Sequence, residues 1–318
     1  MSLALPDVEG VLERGSFCYV ATATRHGPHV TPTVFAYSGG KLWLTTSRGS
    51  VKARVWRENP SVGGLVRWGG TAVAFDGRVR TFDLLDVASW ARDVLEAPAL
   101  AVASSRFTRK NARFFAGYAA VARRVPLSWT PPGRVFTAIE LERVAVLGHG
   151  EPIEQGGVWS RGLVSAERFR ARRAGEPPLA DLPPDVAEKL GTRGAGALAV
   201  EGAGGIVVLP CAWVADGAHL YATLSEAELG LADLRSPRVP AALVIDRASW
   251  WRARHMVGAM LRGTGDVVAT DRLVSGGRSA DRIVEAAGAE AQGAALVRLR
   301  PERIVWWRGW SSSTVAVA

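Results

Sequence analysis

The chain has 318 residues, 48% of them hydrophobic and 22% charged, and 39 Lys and Arg against 30 Asp and Glu give a formal net charge of +9. This is length enough for one large domain or two ordinary ones, with too much apolar content for a disordered chain, and no uncharged run approaches the roughly 20 residues that span a bilayer. The opening residues MSLALPDVEG lack the charged start and apolar core of a secretory signal, and two cysteines, Cys18 and Cys211, cannot build a disulfide framework, so a reducing cytoplasm is the expected compartment.

The basic excess is arginine. Only Lys41, Lys52, Lys110 and Lys189 are lysines, and the arginines are scattered apart from Arg168, Arg170, Arg172 and Arg173. A nucleic-acid surface would gather its charge on one face among exposed aromatics, and this pattern does not.

In chain order, Pro6 followed by Asp7 and helically spaced apolar residues predicts a short opening helix. Then FCYVATAT, HVTPTVFAY and KLWLTT, rich in β-branched and aromatic residues and separated by RHGP and SGG, predict three short strands. VGGLVRW, TAVAFDGRVRTFD and the late RVFTAIELERVAVL predict three more, the last after a helical insert at 84–130. Residues 151–183 form a charged, proline-broken connector. After it the order recurs as ALAVEG, IVVLPCAWVA, HLYATLS, AALVID, MVGAMLRGTGDVVA and ALVRLRPERIVWW.

The recurrence is a repeat. At a shift of 178, residues 6–47 align with 184–225 without a gap, and 12 of the 42 pairs are identical, against about four expected by chance. Gly27, Val30 and Pro32 meet Gly205, Val208 and Pro210; Gly39, Leu42, Thr45 and Ser47 meet Gly217, Leu220, Thr223 and Ser225. The predicted fold is mainly β with accessory α: two small antiparallel barrels in tandem, at 1–150 and 184–318, packed as an intramolecular pseudo-dimer.

One segment carries chemistry. TTSRGSVKARVWRENP, residues 45–60, leaves a strand, turns through Arg48 and Gly49, and enters a helix that Ser50 can cap, with Val51 and Val55 on one face. The helix amides, the hydroxyls of Thr45, Thr46, Ser47 and Ser50, and the cations Arg48 and Lys52 are the groups that hold a phosphate monoester. The second half lacks them, because Ser225 is followed by Glu226 and Glu228 and no lysine repeats Lys52. Carboxylates there repel a phosphate dianion.

GPHVTP, then LWLTTS, then SVK and ENP resemble the pyridoxamine 5'-phosphate oxidase-like, FMN-binding split-barrel superfamily. The resemblance covers both halves as a fold pattern and the phosphate motif in the first half alone. It implies a six-stranded split barrel, usually paired in a homodimer, and an FMN-dependent oxidoreductase acting on a small molecule. It assigns Ser50 and Lys52 to the phosphate, Thr46 to the ribityl chain, and the backbone of Val30, Thr31, Pro32 and Thr33 to the isoalloxazine ring. Relatives of the fold take a deazaflavin coenzyme or haem instead, with Arg54, Arg57 and Arg67 the candidates for a deazaflavin groove. The second-strand basic residue and the C-terminal Arg and His pair of the vitamin B6 oxidases proper are not evident. One flavin per chain is expected, covered from the second half by Trp250 or Trp251, with Arg252 or Arg254 available to stabilise an anionic ring.

Other patterns fail on context. GAGALA, residues 194–199, precedes a strand instead of linking strand to helix, so it is not a dinucleotide fingerprint. His26, His29, His149, His219 and His255 lack metal-ligand spacing, and neither a G-x-S-x-G elbow nor a C-x-x-C pair occurs.

Overall fold

The computed structural model describes residues 8–83, 96–119, 133–148, 152–155, 157–162, 164, 179–216, 219–247, 255–269, 283, 285, 294–309 and 311–317. They divide into two compact units, one holding residues 8–22 and 32–158, the other 23–31 and 159–317.

In the first, the helix α1 (Val8–Arg14) precedes β1 (Phe17–Thr24), β2 (Gly27–Ser38) and β3 (Lys41–Ser47). The helix α2 (Val51–Glu58) then leads to β4 (Ser61–Trp68) and β5 (Thr71–Phe82). Helices α3 (Ala97–Lys110) and α4 (Ala112–Ala119) come before β6 (Arg134–Leu147) and β7 (Ile153–Gln155). Strand order is β3-β2-β1-β4-β5-β6-β7, and β3 also pairs with β6, so six antiparallel strands close on themselves and β7 extends the edge. Closure removes the exposed edges that a six-stranded open sheet would leave.

Alternation decides what fills the barrel. Cys18, Val20, Phe35, Leu42, Leu44, Val73, Phe75 and Ile139 are buried in one cluster with Trp56 of α2. Trp43, one residue out of phase with Leu42 and Leu44, points to the other face and stacks between Phe82 and Phe136 at 5.7 and 5.4 Å, under Ala103 of α3. The helical insert therefore covers an apolar outer face of the barrel. At the bulge between Asp76 and Gly77 of β5, a Cβ on Gly77 would run into the carbonyl oxygen of Glu140, which is why only glycine fits there.

The second unit repeats the order. The helix α5 (Pro184–Leu190) precedes β8 (Arg193–Gly202), β9 (Gly205–Asp216) and β10 (His219–Ser225). The short helix α6 (Glu226–Gly230) is followed by β11 (Arg238–Arg247), β12 (Val257–Ala269), β13 (Ala294–Arg308) and β14 (Ser311–Ala316). The order β10-β9-β8-β11-β12-β13-β14, with β10 also on β13, makes a second closed six-stranded barrel with one edge strand. Its β12 carries the same bulge, between Arg262 and Gly263, and a Cβ on Gly263 would meet the carbonyl oxygen of Arg300. Among the described residues no helix is long and apolar enough to cross a membrane.

Candidate functional site

The first barrel gathers the 45–60 segment around the start of α2. Ser50 is the N-cap: its Oγ accepts from the Ala53 N–H at 3.1 Å and lies 3.0 Å from Thr46 Oγ1. Thr46 is buried, while Thr45, Ser47, Arg48, Ser50 and Val51 are half-buried. Asn59 ends the helix, its N–H bonded to the Val55 carbonyl, and Pro60 follows.

Lys52 is the anomaly. It is 6% exposed, on the second residue of α2, and no acidic residue shares that first turn. A lysine placed for stability alone belongs at the other end of a helix, because the N-terminal amides already make this end positive. The Nζ lies 5.9 Å from the Trp56 ring centroid and has no hydrogen-bond acceptor among the described residues. The indole N–H of Trp56 is buried without an acceptor as well. Burial, with a smaller contribution from the like charge of Arg134, lowers the Lys52 pKa from 10.5 to about 8. Nearby, burial raises the Cys18 thiol to about 12, and Lys110, whose Nζ sits 3.8 Å from the Phe35 ring centroid, is lowered by burial to about 8.

Arg134, to which the sequence reading assigns no role, joins this cluster. Its Cα pairs with Ser47 across β3 and β6, its Nε donates to Thr45 Oγ1 at 3.0 Å, and its Nη2 donates to the Thr45 carbonyl at 2.8 Å. Arg134 thus stands beside the Thr45 hydroxyl, close enough for its charge to act on Lys52. Arg48, by contrast, directs its guanidinium to Asp83. Nothing local marks Arg134, because it lies 86 positions after Arg48 and only the closing strand pair brings it in.

The remaining candidates are placed as follows. Pro32 and Thr33 are half-buried on β2 in the same unit, whereas Val30 and Thr31 group with the second, where the Val30 N–H donates to Met260 Sδ at 3.3 Å. Arg54 and Arg57 are exposed on α2, and Arg67 lies over the Tyr19 ring at 5.0 Å. Trp250, Trp251, Arg252, Arg254 and His149 lie outside the described residues. No group of three metal-ligating side chains forms among the described residues.

The second barrel departs at this very point. The shift of 178 sets Ser225 opposite Ser47, yet Ser225 Oγ accepts from the Glu228 N–H at 3.1 Å and so performs the capping task of Ser50. The strand runs directly into α6, without the turn that holds Arg48 and Gly49 in the first barrel. Two residues after the cap stands Ala227, not lysine, and Glu226 and Glu228 occupy the first turn. Two acidic residues in that first turn disfavour an added anion.

Residues 5–148 match the family model of pyridoxamine 5'-phosphate oxidase. Among solved structures, a putative pyridoxamine 5'-phosphate oxidase from Listeria innocua is 14% identical, over 44% of this chain and 95% of that one, with a TM-score of 0.29. A protein from Mesorhizobium loti described as FAD-binding is 23% identical over 45% and 94%, at 0.29. A pyridoxamine 5'-phosphate oxidase-related, FMN-binding protein from Nostoc punctiforme is 16% identical over 42% and 74%, at 0.30. No curated protein matches the chain. The family match thus covers the first barrel, residues 5–148, and the strand order of that barrel recurs in the second.

Proposed function

We propose that the first barrel binds FMN by its phosphate and that the chain is a flavin-dependent oxidoreductase acting on a small-molecule substrate. The observation that carries this reading is Lys52, a buried ammonium at a helix N-terminus with no hydrogen-bond acceptor among the described residues. A phosphate monoester offers it up to two negative charges and three acceptor oxygens. Lys52 and Arg134 would hold the phosphate, Thr45 would orient Arg134, and the Ser50 and Thr46 hydroxyls would donate to the remaining oxygens. Bound flavin supplies hydride exchange at its ring. The protein supplies binding, orientation and exclusion of water, for which no titrating acid or base is required.

The experiment compares FMN with riboflavin, which lacks the phosphate, by visible absorption and titration. The expected result is a chain that takes up FMN at least about tenfold more tightly than riboflavin, with the preference lost in Lys52→Met. A wild-type chain that binds both equally overturns the phosphate assignment. One that takes up a deazaflavin coenzyme or haem in place of FMN overturns the choice of cofactor, and one that takes up none of them overturns the cofactor reading.

A further inference from the structure

The bulge that the two barrels share carries opposite charges in them. In the first, Asp76 faces Arg143 across β5 and β6, Gly77 faces Leu141, and Glu142 is the extra residue. The Arg143 Nε donates to Asp76 Oδ2 at 2.6 Å and its Nη2 to the same oxygen, so the pair is closed. In the second, Arg262 faces Arg303 across β12 and β13, Gly263 faces Pro301, and Glu302 is the extra residue. Arginine, glutamate and glycine recur position for position, and the one carboxylate that neutralised the arginine has become a second arginine.

That second arginine is buried with no ion-pair partner among the described residues, its charge offset only in part by Glu302. Arg262 is 8% exposed, and its only side-chain hydrogen bond among the described residues runs from Nη1 to Thr24 Oγ1 at 3.5 Å. Thr24 Oγ1 is already engaged, donating to the Gly27 carbonyl at 2.7 Å and accepting from the His26 N–H at 3.2 Å. Arg262 makes no ion pair among the described residues, and exposed Arg303 makes neither a hydrogen bond nor an ion pair there. Glu302 accepts instead from Thr264 Oγ1 at 3.3 Å. Burial first, and Arg303 second, hold the Arg262 pKa below its ordinary value, with the Glu302 carboxylate opposing them in part. A guanidinium does not lose its proton in a protein, so the charge stays and is costly until an anion meets it.

We propose that the second barrel binds an oxyanion, a carboxylate or a phosphate group of a small molecule, between Arg262 and Arg303. The planar fork of Arg262 suits two oxygens of one group, and Arg303 approaches from the solvent side. The anion supplies the charge that Asp76 supplies in the first barrel. This site stands on residues separate from Lys52 and does not depend on flavin binding.

The test is calorimetric titration of the Lys52→Met chain, from which the first-barrel phosphate site has been removed, with phosphate, acetate and chloride at equal ionic strength. Phosphate or acetate should bind, and chloride should not compete at the same concentration. Binding should weaken at least about tenfold when Arg262→Met is added, and equally when Arg262→Asp restores the pairing with Arg303. Binding of phosphate alone identifies a phosphate-bearing ligand, binding of acetate alone a carboxylate, and binding of both a site that accepts either oxyanion. Each added substitution should also raise the unfolding midpoint in buffer without phosphate or carboxylate, because it removes a buried charge that has no ion-pair partner. Undiminished binding in the folded Arg262→Met chain, binding indistinguishable from chloride, or no binding at all overturns the proposal.

Discussion

Replacing Lys52 by methionine, which keeps the length and apolar stem of the side chain, should stabilise the cofactor-free protein. The lysine's drop from 10.5 to about 8 corresponds to about 3 kcal/mol of disfavoured charge at neutral pH. The sign follows from linkage. Between pH 8 and 10.5 the unfolded chain binds more protons at this residue than the folded one, so its contribution to stability rises with pH and is most unfavourable below pH 8. Cys18, raised to about 12, acts in the opposite sense above its ordinary value, and Lys110, lowered to about 8, acts like Lys52. Only the difference between wild type and Lys52→Met isolates the one group. Urea unfolding without flavin should show the variant more stable at pH 7, by up to about 3 kcal/mol, with the gap narrowing toward pH 10. Saturating FMN should narrow the gap at pH 7, because the wild type gains more free energy from the bound phosphate than the variant does. A variant less stable than wild type without flavin at pH 7, or a gap that ignores pH, would refute the reasoning.

Three further outcomes are expected. Arg134→Met should weaken FMN binding about tenfold while Arg48→Met leaves it nearly unchanged, since Arg48 is occupied by Asp83; fluorescence titration of both separates the two arginines. Ser50→Ala removes the acceptor of the Ala53 N–H and should cost about 1 kcal/mol in chemical denaturation even without flavin, a loss that an alanine at exposed Arg54 would not share. Gly77→Ala and Gly263→Ala each drive a methyl group into a main-chain carbonyl and should each lower stability by about 2 kcal/mol or more, read from thermal melts. Equal melting of the glycine variants and wild type would mean that the bulges can relax.

Strand existence was legible because it is a local property. Residues 27–38 and 205–216, and 41–47 and 219–225, became strands of equal length at the shift read from the alignment. Residue alternation and turn composition act between near neighbours, so they survive in a linear reading. The same holds for the cap: serine before an apolar helical pattern marks Ser50 without any tertiary knowledge. Register is less legible. Ser225 aligned with Ser47 and took the role of Ser50, because losing a short turn moves a cap without disturbing the strand before it.

Sequence alone determined a chain with two barrel-like halves, and it marked Lys52 as the cation that the second half lacks. The tertiary structure decided which charges are compensated. Lys52 could have been a solvated helix lysine; closure of the barrel buries it and brings Arg134 beside Thr45. Arg262 reads as one of many scattered arginines until β12 and β13 pair at their bulge and set it against Arg303. The physical reason is common to both cases. The cost of a charge depends on its dielectric surroundings and on partners delivered by strand pairing across long stretches of chain, and neither quantity is written in a residue's immediate neighbours.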